Sequence, residues 1–184
     1  MRKVILATNV SLDGFADHTA FSPDDEVLDF FTARLESLDF QLFGRTTYQL
    51  MADYWPVVHL DPKAAKSELR FAKKFNAMPK IVFSQSMQKA DWNNTRLMLG
   101  NAVEEIRRLK QQPGKGLAIG GISLAQSLMT EHLIDEYWLV VHPVVCGAGR
   151  LLFDGVNERV DLSLVETKKL HSGVIALHYL QKKA

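Results

Sequence analysis

Small and hydroxyl-bearing residues directly follow a short apolar run in the stretch Gly120-Gly121-Ile122-Ser123-Leu124, and this pattern suits phosphate binding. The two glycines remove both Cβ atoms, so a ligand can lie against the backbone and meet the free N–H groups of a first helical turn. A helix N-terminus carries roughly half a positive charge, which favours a pyrophosphate at this corner. A tight strand-to-helix turn without a ligand explains the same residues, and the stretch alone favours that alternative.

Two further stretches add side chains that can hold an anion. Gly44-Arg45-Thr46-Thr47 follows the apolar run 39–43, and its guanidinium offers a planar fork of donors that matches a phosphate. An exposed arginine beside a helix-capping threonine is the alternative interpretation. Ser84-Gln85 ends the apolar run 80–83. Because all three stretches follow predicted strands, and open α/β sheets bind ligands at the carboxyl ends of their strands, we expect them to form one site.

Acidic residues near the N-terminus have both a functional and a structural interpretation. Asp13 and Gly14 follow the predicted first strand, 3–10, where an aspartate more often sets a turn than contacts a substrate. The stretch Ser22-Pro23-Asp24-Asp25-Glu26 is typical of a helix start, with a serine cap, proline at the first helical position and acids over the positive end of the dipole. These acids are interpreted as capping residues unless one of them faces a pocket.

The sequence gives no support for several other kinds of site. The six histidines, at positions 18, 59, 132, 142, 171 and 178, lack the close spacing of metal ligands, so no metal site is predicted. Cys146 is the only cysteine, which excludes an internal disulfide and fits a reducing compartment, so a cytoplasmic location is expected. The net charge is +1 with acids and bases mixed along the chain, so neither a nucleic acid nor a membrane is an expected partner.

The elements that must position these residues alternate between strands and helices over most of the chain. Helix starts are predicted at Asp61-Pro62 and at Asn101. The run 135–145 predicts a long strand in which Pro143 indicates a bulge or a sheet edge. The runs 160–167 and 174–180 predict antiparallel strands added to a parallel core. We therefore expect one domain, residues 1–184, with an α/β fold in which helices flank a mixed, mainly parallel sheet.

A set of motifs spans nearly the whole chain: Ser11-Leu12-Asp13-Gly14-Phe15, the run 43–48, Ile119-Gly120-Gly121, and a segment from Ile134 through Gly147-Ala148-Gly149-Arg150 to Phe153. Together they resemble the dihydrofolate-reductase-like fold, and particularly the reductase-domain family of bacterial riboflavin biosynthesis. The resemblance implies a three-layer domain, NADPH as cofactor and a homodimer. The aromatic pair Tyr137-Trp138 fits a dimer contact, although ordinary core packing explains it equally well.

The resemblance also implies roles for individual residues. Arg45 and Thr46 would lie near the 2′-phosphate or pyrophosphate of NADPH, and the nicotinamide would lie along 9–14. The implied cofactor-binding residues are Asn9, Gly44, Arg45, Thr46, Thr47, Ser84, Gln85, Gly120, Gly121, Ile122, Ser123 and Leu124. The candidate substrate-binding residues are Asp13, Gly14, Glu26, Asp29 and His142.

The implied family chemistry is the NADPH-dependent reduction of 5-amino-6-(5-phosphoribosylamino)uracil. Hydride transfer needs mainly two reactants held close in a dry pocket, so few catalytic side chains are expected. Asp24-Asp25-Glu26 stands where the riboflavin enzymes typically carry basic residues for the substrate phosphate, and Ile119 stands where they usually have an acid. We therefore expect a reductase of some small heterocycle, imine or carbonyl. A catalytically silent NADP(H)-binding protein and a dihydrofolate-reductase-like activity are the alternatives.

Overall fold

The computed structural model describes residues 1–182 of the chain. Its strands and helices follow in the order β1 (Val4–Ser11), α1 (Asp25–Arg34), β2 (Leu38–Gly44), α2 (Arg45–Tyr54), α3 (Lys66–Ala77), β3 (Lys80–Phe83), β4 (Thr95–Met98), α4 (Ala102–Lys110), β5 (Gly116–Gly120), α5 (Ile122–Thr130), β6 (Glu136–His142), β7 (Leu162–Lys169) and β8 (Ile175–Gln181). None of the helices in this described part is both long and apolar enough to cross a membrane.

The eight strands form one sheet in the order β4-β3-β2-β5-β1-β6-β8-β7. Strands β1 to β6 pair in parallel, whereas β8 pairs antiparallel with both β6 and β7. The predicted mixed sheet with antiparallel C-terminal strands is therefore confirmed. Because the first six strands run in the same direction, their ends define two opposite borders of the sheet, which we call the carboxyl edge and the amino edge.

The prediction of a bulge or sheet edge around Pro143 was wrong. Strand β6 lies between β1 and β8, and its pairing with β1 ends at the pair Ser11 and His142. Pro143 lies just beyond this last pair, where its missing N–H costs no ladder hydrogen bond. The proline therefore ends the strand and starts the loop that follows it.

Both faces of the parallel part of the sheet are covered, as a parallel sheet requires, whereas the edge strand β7 is largely exposed. Alternate strand residues point to opposite faces, so Leu42 packs in a cluster with α4 and α5, whereas Phe43 packs in a second cluster with α2 and α3. A third cluster places α1 against β6 and β8 through Val27, Phe30 and Val140. Tyr137 lies 1% exposed within the first cluster, so its side chain is explained by core packing and gives no support for a dimer contact.

Helix α1 begins later than the sequence indicated. Its cap is Asp24, whose carboxylate accepts a hydrogen bond of 2.8 Å from the Val27 N–H, and not Ser22. The resulting register buries Phe30 at 4% exposure and leaves Phe31 only partly buried. The hydrogen bond from the Val27 N–H to the Asp24 side chain outweighs the preference of proline for the first helical position.

The start of α3 was also predicted too early, whereas the start of α4 was predicted correctly. Helix α3 begins at Lys66, where Glu68 accepts a hydrogen bond of 2.7 Å from the Ala65 N–H, and not directly after Pro62. The Asn101 side chain accepts hydrogen bonds from the first turn of α4, as the sequence predicted. Asn101 stands directly before α4 and so indicates where that helix begins. The start of α3 has no such residue before it, because the side chain that caps it is Glu68 inside the helix.

Ion pairs connect the elements that meet at the amino edge. Lys110 at the end of α4 lies 2.5 Å from Asp135, which also accepts a hydrogen bond of 2.8 Å from the N–H of Val4 at the start of β1. Lys3 lies 2.5 Å from Glu136 at the start of β6. These contacts join β1, β6 and α4 at the border opposite the predicted site.

Lys80 is a buried lysine, 1% exposed, that has no carboxylate partner among residues 1–182. Its Nζ donates to the carbonyl oxygens of Met78 at 2.8 Å and Asn76 at 3.0 Å, and it lies 4.4 Å from the centroid of the Trp92 ring. Burial lowers the pKa of Lys80 from 10.5 to about 8.

This lowered pKa predicts a stability that rises with pH. Between the folded and unfolded pKa values the unfolded chain binds more protons, so the free energy of unfolding increases as pH rises through that window, by at most about 3 kcal/mol. Urea unfolding of wild type and Lys80→Met from pH 7.5 to 10.5 measures the effect. The wild type should gain stability relative to the variant, and parallel curves for the two proteins would contradict the assignment.

Candidate functional site

The corners after β2 and β5 are in direct contact at the carboxyl edge. Gly121 caps α5 with a φ of +108°, a conformation that favours glycine. A Cβ on Gly121 would lie 2.5 Å from the Thr47 hydroxyl oxygen, and a Cβ on Gly120 would lie 2.6 Å from the ring of Phe43. Gly121 is therefore required for the first turn of α2 to pack against the start of α5, and Gly120 is required for the Phe43 ring of β2 to pack against the end of β5.

Gly44 differs from Gly120 and Gly121, because the space beside it is open and not filled by side chains. It precedes α2 with a φ of −79°, and no atom lies within 4 Å of the position that its Cβ would take. Neither Thr46 nor Thr47 caps the helix, since α2 has no side-chain cap hydrogen bond. The backbone of Gly44 thus borders open space at the start of α2, which suits the approach of a ligand.

Arg45 extends from α2 to the turn that follows β3. Its Nη1 donates a hydrogen bond of 2.8 Å to Ser86 Oγ, and the Ser84 hydroxyl accepts from the backbone N–H groups of Ser86 and Met87 at 3.2 and 3.1 Å. The Gln85 side chain is exposed. Ser86 was absent from the predicted set, although its hydroxyl continues the polar run at 84–86. The second and third predicted stretches are therefore brought together.

A second guanidinium lies at the start of α5. Arg150 Nη2 donates a hydrogen bond of 2.8 Å to the Ser123 hydroxyl in the first helical turn. The Arg150 N–H donates to Asp17 Oδ2 at 2.6 Å, and its carbonyl accepts from the Ala16 N–H at 2.9 Å. Sequence reasoning placed Arg150 in a glycine-rich motif without giving it a role. Its position after three small residues was the only local signal.

Asp13 connects the loop after β1 with the loop after β6. Its carboxylate accepts hydrogen bonds from Ser11 Oγ at 2.6 Å and from the N–H groups of Gly147 and Cys146 at 2.8 and 3.1 Å. The hydrogen bond from Ser11, followed by that from Gly147, lowers the pKa of Asp13 to about 2. We call segments 12–17 and 143–152 the loop pair. The position of Asp13 within it explains the residue as a fixed link between loops, and a contact with substrate stays a prediction.

His142 and Asn9 lie side by side at the ends of β6 and β1. His142 is 8% exposed, and its Nε2 lies 2.9 Å from Asn9 Oδ1. The ring packs on Phe21, with 4.6 Å between the ring centroids. Burial lowers the pKa of His142, and the charge of Asp24 opposes this only in part. The imidazole is therefore neutral near pH 7.

The other two predicted substrate carboxylates have partners elsewhere. Glu26 Oε2 accepts a hydrogen bond of 2.7 Å from the His171 N–H and lies 3.0 Å from His171 Nδ1. These contacts lower the pKa of Glu26. Asp29 pairs with Arg70 at 2.7 Å. The structure thus brings Asp24, rather than Glu26 or Asp29, into electrostatic range of His142.

The site as a whole combines an anion-binding part with a smaller, less exposed part. The first contains the guanidinium groups of Arg45 and Arg150 and the starts of α2 and α5. Arg45 also lines an open cleft of about 590 Å³ between α2 and the segment 86–93, which α5 and Arg150 do not reach. The second contains Asn9, Phe21 and His142. Among residues 1–182, no group of three or more histidine, cysteine, aspartate and glutamate side chains could hold a metal ion. The arrangement suits an extended ligand that carries several phosphates and has a planar end.

Comparison with known proteins gives consistent results. Residues 2–176 match the family model of the RibD C-terminal domain. The chain is 35% identical over 182 residues to the uncharacterised protein YyaP of Bacillus subtilis (strain 168), covering 97% of this chain and 94% of that protein. A Shewanella sp. PV-4 structure assigned provisionally to riboflavin biosynthesis has a TM-score of 0.74 at 22% identity, covering 98% and 99% of the two chains. Enterococcus faecalis dihydrofolate reductase complexed with NADP(H) has a TM-score of 0.64 at 14% identity, covering 98% and 97%. The dihydrofolate-reductase-like fold expected from the sequence is confirmed.

Proposed function

The chain belongs to the RibD C-terminal domain family, and on this premise we propose that it is an NADPH-dependent reductase of a small heterocyclic, imine or carbonyl substrate. One observation carries the proposal: two guanidinium groups and the starts of two helices lie along one edge of the sheet, beside glycines. A dinucleotide with a pyrophosphate and an additional phosphate uses such a set. The dihydrofolate reductase that shares this fold was solved with NADP(H).

The residues present fit NADPH. Gly44 borders open space, so its backbone is accessible to a phosphate, whereas the Cβ positions of Gly120 and Gly121 are taken by the side chains of Phe43 and Thr47. In the proposal, Arg45 and Thr46 hold the 2′-phosphate with Ser86 fixing the guanidinium, and Ser84 and Gln85 lie at the adenosine. The run 120–124 and Arg150 hold the pyrophosphate, and Asn9 lies toward the nicotinamide.

When bound, the reduced nicotinamide supplies a hydride to the substrate. The residues of this chain bind and orient the two reactants and limit access of water. The loop pair joins the ends of β1 and β6, where Ser11 is 2% and His142 is 8% exposed. Low solvent exposure at these strand ends favours hydride transfer, because it limits competing reactions with water while the two bound reactants are held close.

Titration of the purified chain with NADPH and with NADH, followed by nucleotide fluorescence, tests the proposal. We expect NADPH to bind more tightly. Arg150→Ala should weaken both nucleotides about 10- to 100-fold, because in the proposal it contacts the pyrophosphate, which is common to both, and a hydrogen bond to a charged group contributes about 1.5–3 kcal/mol. Arg159→Ala is the matched control, since Arg159 is exposed and pairs with Asp161, which is also exposed and lies away from both helix starts. No binding of either nucleotide would overturn the proposal and leave a shared fold.

We further propose, from the family resemblance, that the enzyme acts in the cytoplasm as a homodimer with a small molecule as its substrate and without nucleic acid or membrane partners. The single cysteine supports the cytoplasmic location, and the balanced charge supports the absence of nucleic-acid and membrane partners. A substrate screen begins with the riboflavin intermediate and dihydrofolate.

A further inference from the structure

His142 has two ring nitrogens, and only one of them has a hydrogen-bond partner among residues 1–182. The residue is 8% exposed, and its Nε2 lies 2.9 Å from Asn9 Oδ1. The Phe21 ring packs against the imidazole at 4.6 Å with an angle of 32° between the planes. These two contacts fix the plane of the imidazole and leave Nδ1 available to a ligand.

The protonation of the ring follows from these surroundings. Burial lowers the pKa of His142, so the ring carries one proton near pH 7. An amide oxygen only accepts hydrogen bonds, so this proton resides on Nε2, where Asn9 accepts it, and Nδ1 presents a lone pair. The charged group that acts on the ring is Asp24, while Glu26 and His171 bond to each other.

The neighbouring start of α1 is unsuited to a phosphate. Its positive end is already occupied, because the Asp24 carboxylate accepts a hydrogen bond of 2.8 Å from the Val27 N–H. Hydrogen bonds from Val27 and Ser172 lower the pKa of Asp24, so the carboxylate is ionised at neutral pH. Asp25 and Glu26 follow it directly. A phosphate placed here would meet negative charge and find few free donors.

On the basis of the proposed reductase function, we propose a pocket for the planar, N–H-bearing base of the substrate, formed by Asn9, Phe21, Asp24 and His142. The substrate that fits this pocket carries no phosphate. His142 Nδ1 accepts a hydrogen bond from the base. Asn9 is a positioning residue that holds the imidazole in the required tautomer. Asp24 repels an anionic substituent on the base.

The proposal is tested with two probes that represent the base and the sugar-phosphate halves of the riboflavin intermediate. 6-Aminouracil and ribose 5-phosphate are titrated calorimetrically into the NADPH-saturated chain at pH 7.5. We expect 6-aminouracil to bind and ribose 5-phosphate not to bind. His142→Phe should weaken 6-aminouracil about tenfold, the effect of one lost hydrogen bond, with unchanged NADPH affinity. His59→Phe, at an exposed histidine, is the control.

A pH series separates positioning by Asn9 from a merely structural role. In wild type, affinity for 6-aminouracil should fall as the pH is lowered and His142 gains its second proton. Asn9→Asp places a carboxylate against Nε2 and raises the pKa of His142, so the fall should move to higher pH. Asn9→Leu should weaken binding at every pH. An unchanged midpoint in Asn9→Asp would overturn the positioning role.

Three other results would overturn the pocket proposal: preferential binding of ribose 5-phosphate, no binding of either probe to the NADPH-loaded chain, or wild-type affinity of His142→Phe for 6-aminouracil. Each of them leaves the reductase proposal intact when NADPH still binds. Failure of NADPH itself to bind counts against the proposed function instead, and titration of both probes into the nucleotide-free chain then decides the pocket separately.

Discussion

Gly121→Ala is expected to lower the thermal midpoint by about 5–15 °C and to weaken NADPH at least tenfold. The new Cβ would lie 2.5 Å from the Thr47 hydroxyl oxygen, on a backbone with a φ of +108°. Backbone strain of about 1–3 kcal/mol and a comparable cost of overpacking both lower the free energy of unfolding. Each kcal/mol lost shifts the thermal midpoint of a chain of this size by about 2–4 °C. Relief of the contact moves the start of α5, so its N–H groups lose their alignment for the pyrophosphate.

Calorimetry and NADPH titration of three variants separate folding from binding. Gly44→Ala is the matched control for stability, because its Cβ would meet no atom within 4 Å and its φ is ordinary. This variant should keep the wild-type midpoint yet lose affinity, since a ligand approaching the Gly44 backbone would meet the added methyl group. Thr47→Ala should partly restore the stability of Gly121→Ala by removing the hydroxyl. Equal midpoints for Gly121→Ala and wild type would contradict the packing argument.

Arg45→Ala is expected to remove the preference for NADPH over NADH. Hydrogen bonds from a guanidinium to a phosphate contribute about 1.5–3 kcal/mol, so NADPH affinity should fall about 10- to 100-fold while NADH affinity changes little. The hydrogen bond of 2.8 Å to Ser86 holds the guanidinium in place, so Ser86→Ala should give a smaller loss in the same direction.

Fluorescence titrations at two salt concentrations measure this effect, because a contact that depends on charge weakens as salt rises. Arg159→Ala is again the control. A parallel loss of NADPH and NADH affinity in Arg45→Ala would place this arginine at the pyrophosphate, as the family resemblance also allowed. Unchanged affinity for both nucleotides would contradict any cofactor contact by Arg45.

Local sequence signals predicted the elements of the carboxyl edge well. An apolar run followed by glycine specifies a strand and a turn within a few residues, so the corners at Gly44 and Gly120-Gly121 were predicted at their observed positions. The chain also indicated where parallel pairing gives way to antiparallel strands, because the last two strands follow each other with only a short turn between them.

Contacts between distant loops were not predictable in the same way. Arg45 meets Ser86 across 41 positions, and Arg150 meets Ser123 across 27. No periodicity records such pairs, because they depend on how the loops leave neighbouring strands. The partners of the α1 carboxylates were not predictable either, because a shift of one residue turns a helix by about 100° and changes which side chains face its neighbours. In the structure Glu26 binds His171 and Asp29 pairs with Arg70.

The ion pairs of the amino edge have a consequence for how this family changes over evolutionary time. Lys110 with Asp135 and Lys3 with Glu136 join elements at the border away from His142 and Arg150. Substitutions in the loops of the carboxyl edge therefore leave these contacts intact and cost little stability, except at packed corners such as Gly121. A lineage with this division can exchange one substrate for another by drift in a few loops while its inherited scaffold persists.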